Sequence, residues 1–202
     1  IDYLEKNQFN LSIKRYIDAS PEAAQLKRLL QQYEHYRMVP FSELATKVIK
    51  QEKEFEYLNN PIYIPKTPNK NAVSHQSKLD ILPHHTFQIA LNPKIVQNEY
   101  IELFLQTELG KLMLLNLYEG ISVPMLRWEG SLSELKIPIP TIKNQTNIIE
   151  ASKRLDQLKE LIEKLESNVA LSPLSTNTVI ERVDGMLEVM GGLTEADKIM
   201  SL

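Results

Sequence analysis

Glu134 and Lys136 stand two residues apart in the segment Leu132-Ser-Glu-Leu-Lys-Ile-Pro-Ile-Pro140, so on a strand both would face the same side. A carboxylate and an ammonium so placed form the E-x-K element of metal-dependent nucleases. That chemistry also needs an upstream acid to share the divalent cation. No aspartate lies between Asp80 and Asp156, and Glu129 is only five residues from Glu134 in a loop. A nuclease is therefore the weakest reading. His75, His84 and His85 are the other candidate ligands, but adjacent histidines diverge in a loop and Asp80 is the nearby carboxylate. No metal site is expected. There is no Walker motif and no G-x-S-x-G elbow, and 6 glycines leave little for a phosphate-cradling turn. No catalytic residue is assigned to the chain.

Charge is more informative by position than by sum. Lys and Arg number 23 against 26 Asp and Glu, a net of −3, which argues against a polyanionic partner. Residues 61–94, however, carry Lys66, Lys70, Lys78 and Lys94 against Asp80 alone, a local +3. Thr67, Asn69, Asn71, Ser74, Gln76 and Ser77 crowd the same stretch. Asn and Gln pair bidentately with adenine, and Lys serves phosphate or guanine. A second loop, Glu119 to Gly130, offers Ser122, Arg127 and Trp128. Taken alone, these stretches also fit ordinary solvated loops.

The elements that must position these side chains follow from periodicity. Ser20-Pro21 starts a helix over 21–37 that Pro40 stops, and Phe41-Ser42-Glu43-Leu44 opens a short second helix with Leu44, Ala45, Val48 and Ile49 on one face. Residues 55–95 alternate apolar bursts with turn residues, which predicts short strands. Residues 98–118 form one helix weakened by Gly110, and Leu135 to Ile139 is an edge strand confined by Pro138 and Pro140. Ile148, Ala151, Leu155, Leu158, Ile162 and Leu165 then follow a 3-4 repeat, the a/d seam of a coiled coil. At about two and a half heptads this arm needs a partner surface. Further amphipathic helices close the chain over 168–202. The fold class is α/β (α+β), with a small set of mixed strands and a long coiled-coil-type helix. With 43% hydrophobic residues the chain can build a core, its lack of cysteine fits the cytoplasm, and no apolar run would span a membrane.

The order Gly120-Ile-Ser-Val-Pro-Met-Leu126, Leu132-Ser-Glu-Leu-Lys-Ile-Pro-Ile-Pro140, Gln145 and then a heptad helix resembles the end of a target recognition domain in type I restriction–modification specificity subunits. Upstream, the run Tyr100 to Leu115 is similar to that family's Y-x-x-x-F-L-x-S-x-x-G helix, with Thr107 in the Ser position. Phe9-Asn10-Leu11-Ser12-Ile13-Lys14-Arg15-Tyr16-Ile17 is similar to the N-L-S-P-x-R-Y end of the systems' adenine-specific DNA methylases, with Ile13 in place of Pro. The likeness covers roughly 1–18 and 41–166.

The resemblance implies a methylase-like tail and connecting helix over 1–40, a recognition domain over 41–145, a heptad helix over 146–167 and a C-terminal helical tail. It implies double-stranded DNA and a methylase domain or subunit as partners, with a homodimer through 146–166 as the other use of the seam. Lys66, Lys70 and Lys78 would hold phosphates; Asn69, Asn71, Gln76 and Arg127 would read bases, with Ser122 beside them. The methylases' N-P-P-F motif is absent (Asn60-Pro61-Ile62 lacks the second Pro and the aromatic), as is a Gly-rich loop for S-adenosylmethionine. That cofactor would belong to a methylase domain upstream of Ile1, bacterial or archaeal, and the chain itself would bind none. The alternative is a structural or oligomerisation module that assembles a larger complex through its helices.

Overall fold

The computed structural model describes residues 21–50, 53–118 and 124–171, with 181 and 183–185. The chain divides after Ile149 into two units. In the first, helix α1 (Pro21–Gln31) precedes strand β1 (Arg37–Pro40), a single helical turn α2 (Phe41–Leu44) and β2 (Ala45–Ile49). Strands β3 (Pro61–Pro65) and β4 (Thr86–Leu91), helices α3 (Asn98–Gln106) and α4 (Glu108–Leu115), and β5 (Lys136–Ile139) follow. Helix α5 (Ile142–Leu171) begins in this unit and continues into the second.

All strand pairs are antiparallel. β4 is central between β2 and β3, and β1 pairs with β5 in a separate two-stranded ribbon. Every residue of β4 is buried, as a strand covered on both faces requires. Its one amide, Gln88, is satisfied: Oε1 accepts from Glu56 N at 2.9 Å and Nε2 donates to Glu54 O at 3.1 Å. Phe41, Leu44, Ile62, Ile64, Ile89, Leu91, Ile101, Leu109, Leu132 and Ile137 form a continuous fully buried core with the helices.

The expected edge strand is present, and Pro138 lies in β5 opposite Met38, where a missing N–H is tolerated in a two-stranded ribbon. Three expectations need correction. The helix predicted to 37 ends at Gln31, and Arg37–Pro40 is drawn into extended pairing with β5. The helix predicted from Phe41 lasts one turn, and Ser42 caps nothing; Ala45–Ile49 is a strand. Leu44, Ala45, Val48 and Ile49 fit a helical face, but the free edge of β4 and the β-branched Thr46, Val48 and Ile49 favour pairing. The helix predicted over 98–118 breaks at Thr107 into α3 and α4.

Two fixed points set the geometry around the loops. Asn60 adopts φ 50°, a left-handed conformation asparagine tolerates. Its Nδ2 donates to Val96 O at 2.8 Å and its Oδ1 accepts from Asn98 N at 2.9 Å, joining the entry of β3 to the start of α3. Gln145 is fully buried: Oε1 accepts from Gln97 N at 2.8 Å, and Nε2 donates to Ile95 O at 3.0 Å and Pro140 O at 2.9 Å. The glutamine that opens the heptad helix thus ties that helix's first turns to the β4–α3 connection.

In the 30-residue α5, the seam predicted from the 3-4 spacing is on the surface. Ile148, Leu155, Leu158 and Ile162 are 39% to 57% exposed, while Leu165 is buried. Residues 1–20, including the methylase-like stretch and Ser20, lie outside the described residues, as does nearly all of the tail beyond 171.

Candidate nucleic-acid interface

The connection between β3 and β4 carries most of the predicted contacts. It is stapled near its middle by paired backbone hydrogen bonds, Tyr63 N to Val73 O at 2.9 Å and Val73 N to Tyr63 O at 3.0 Å. Residues 64–72 therefore form a closed excursion, with Ala72 buried beneath and Asn69, Lys70 and Asn71 exposed at its tip. Lys70 Nζ bonds Asp80 Oδ2 at 2.5 Å, which holds the Asp80 carboxyl below the usual carboxylate range. Tyr118 braces the excursion from α4's side: its hydroxyl donates to Pro65 O at 3.1 Å and Thr67 O at 3.3 Å. Burial pushes that phenol up to about 12. A hollow of about 130 Å³ beside the tip is lined by Lys70, Asn71, Leu105, Lys111 and Tyr118 among others.

Gln76 and Lys78 lie farther along the connection, in a 3-10 turn (Gln76–Lys78), with Gln76 exposed. Lys78 Nζ reaches Glu102 Oε1 at 2.9 Å, while Glu102 Oε2 accepts from Ser74 N at 3.0 Å and from the Ser74 hydroxyl. Burial penalises the Glu102 charge, but the Ser74 and Lys78 hydrogen bonds outweigh it and hold its pKa below the ordinary value. Lys78 thus also neutralises a buried acid.

Lys66 occupies a third place. It is 7% exposed, and its Nζ donates to His84 O at 2.6 Å and to Lys50 O, over the Phe87 ring at 5.2 Å from the centroid. Burial lowers its pKa. Leu126 N bonds Lys66 O at 2.8 Å, which brings the 124–130 loop against the end of β3. Arg127, exposed, therefore lines the same cavity as Lys66, about 410 Å³ in volume, with Lys50, Phe87, Met125, Trp128 and Glu129.

The predicted residues accordingly fall into three groups: Asn69, Lys70 and Asn71 at the tip; Gln76 and Lys78 on the turn; Lys66 and Arg127 at the cavity. Ser122 lies outside the described residues. Counting by segment missed Lys50 and Lys111, which come from β2's end and from α4 and join these groups only through the fold. The lysines at 47, 50 and 53 were the available signal.

The His84 and His85 rings lie side by side, centroids 4.1 Å apart and planes tilted by 49°, and not turned apart as expected; among the described residues no group of three or more His, Cys, Asp or Glu is placed to hold a metal ion. Glu134 sits in a 3-10 turn (Leu132–Glu134), off the strand that carries Lys136. No described helix is long and apolar enough to cross a membrane.

No protein-family model matches the chain, and no curated protein matches its sequence. Among solved structures the chain is similar to the S subunit of a type I restriction–modification system from M. genitalium, with a TM-score of 0.50 and 16% identity. The match covers 67% of this chain and 43% of that one, so the chain corresponds to less than half of that subunit. The fold, mixed helices with antiparallel strands, is S-subunit-like.

Proposed function

We propose that the chain is a sequence-specific DNA recognition module of a restriction–modification methyltransferase, directing adenine methylation by an upstream or partner catalytic domain. The observation that carries this reading is the S-subunit-like fold in which the resembling motifs hold structural positions: Tyr100 bonds Pro138 of the I-P-I-P strand at 2.6 Å, and Gln145 anchors the long helix. That fold sets the β3–β4 excursion and the 124–130 loop at the surface, where exposed Asn69, Asn71, Gln76 and Arg127 would address base edges and Lys70 and Lys78 phosphates. Lys66, being buried, would act through the cavity it lines.

The methyl transfer, and the S-adenosylmethionine it consumes, belong to the catalytic domain in a bacterial or archaeal cytoplasm. The exposed seam of α5 gives that domain, or a second copy of this chain, an apolar stripe to cover. The same stripe supports the second reading, an assembly module that makes no DNA contact. Binding of random-sequence duplex DNA across a salt series separates the two. Recognition requires an affinity that falls steeply with salt and a preferred sequence after selection. Association of the chain with no DNA binding at any salt would favour the assembly module.

A further inference from the structure

The cavity around Lys66 has features that a phosphate contact on an open surface does not need. Its lining combines aromatic and sulfur side chains, Phe87, Trp128 and Met125, with the cations Lys50, Lys66 and Arg127. Phe87 and Trp128 pack on each other with ring centroids 6.4 Å apart, and Trp128 meets Phe41 edge-on at 6.1 Å. Lys66 is a buried ammonium whose acceptors among the described residues are two backbone carbonyls. An ammonium has three donors, and burial of a cation without a carboxylate is costly. Among the described residues Glu129 is the acid on the wall, and it is paired with Lys50. Among the described residues the lining thus carries three cations and one carboxylate. At about 410 Å³ it is also larger than a lone phosphate requires.

We propose that this cavity takes a single nucleotide of a DNA strand, turned out of the base stack. The base lies against Trp128 and Met125, where aromatic stacking accepts any base, with Arg127 at its edge, and the phosphate meets the remaining Lys66 donor. This rests on the DNA-recognition reading and adds to it a site that holds one nucleotide as a unit. The cost of unstacking is offset by a site assembled before DNA arrives.

Trp128 is the only tryptophan, so its fluorescence reports the cavity directly. The probes are deoxynucleoside 5′-monophosphates, the matching deoxynucleosides, inorganic phosphate and a single-stranded oligonucleotide. The expected result is a saturable change with the monophosphates, with nucleosides and phosphate at least about tenfold weaker, and displacement of the monophosphate by the oligonucleotide. Arg127→Ala, at an exposed position, should weaken monophosphate binding by about tenfold, and Lys66→Met should do so if it folds; Lys143→Ala, exposed and outside the cavity, should not. No saturable change, or phosphate alone binding as well as the monophosphate, overturns the proposal. A bound monophosphate that the oligonucleotide cannot displace overturns its assignment to a DNA strand. Duplex binding measured in parallel keeps the two readings apart: duplex bound with the cavity silent defeats the nucleotide site alone, and cavity binding without any duplex or oligonucleotide binding defeats recognition.

Discussion

The Thr107 hydroxyl accepts from Gly110 N at 3.1 Å and donates to Phe104 O at 2.6 Å, so one side chain closes α3 and opens α4. A Cβ on Gly110 would lie 2.1 Å from Phe104 O and 2.7 Å from the Leu105 Cα. The spacing Phe-Leu-x-Thr-x-x-Gly is thus the recipe for a tight helix break, and it keeps Tyr100 and Phe104 on the core while α4 turns to brace the Lys66–Asn71 excursion.

Gly110→Ala should destabilise the protein by about 2 kcal/mol or more, by forcing the two helices apart. In an open helix the same change would add about 1 kcal/mol of stability, so the sign distinguishes the break from a continuous helix. Thr107→Val should cost about 1 kcal/mol and Thr107→Ser much less, read from urea midpoints.

Acid should weaken the fold through Glu102. Its folded pKa is held below the ordinary value of roughly 4.3, so its contribution is complete above that pH and is lost as pH falls through the lower folded value. Glu102→Gln should lose about 2 kcal/mol at neutral pH and show a flatter stability profile below roughly pH 4.3. Urea unfolding at a series of pH values measures both. An unchanged acid limb in the variant would remove Glu102 from the account.

Gln145→Leu should cost about 3 kcal/mol, because it leaves Gln97 N, Ile95 O and Pro140 O without their partner in a buried place. Glu at this position keeps the acceptor for Gln97 N but turns a carboxylate on two carbonyls, so it should be no better. Thermal unfolding of both variants tests this.

Leu155→Glu combined with Ile162→Glu should leave the fold of the chain intact, since both side chains are exposed, and should abolish association with a methylase subunit or a second copy. Sedimentation of the variant and the unmodified protein decides it: an unchanged association state would mean that the seam is not the contact.

Much of this arrangement follows from local pattern, and the exceptions have physical causes. The I-P-I-P edge strand and the heptad helix were visible because proline and a 3-4 repeat each restrict the chain to few structures. Ala45–Ile49 was not, because five residues satisfy a helical and an extended period alike until β4 offers an edge. The break at Thr107 was hidden under an apolar period that runs through both helices. At the candidate interface, charge counting found Lys66 and Arg127 but saw neither that one is buried and the other exposed nor that they share a cavity. Burial and the arrival of Lys50 from β2 are properties of packing, and no segment of sequence carries them.

The central claim is that the exposed amides at the tip read bases. Repeated selection from a random duplex pool, followed by binding of the selected and scrambled sequences over a salt series, tests it most directly. A preferred sequence should emerge. The double variant Asn69→Ala, Asn71→Ala should lose about 1–3 kcal/mol of discrimination at particular positions, while Lys70→Ala lowers affinity for all sequences and reduces the salt slope by about 0.9. Equal affinity for selected and scrambled DNA, or no enrichment at all, would contradict the account.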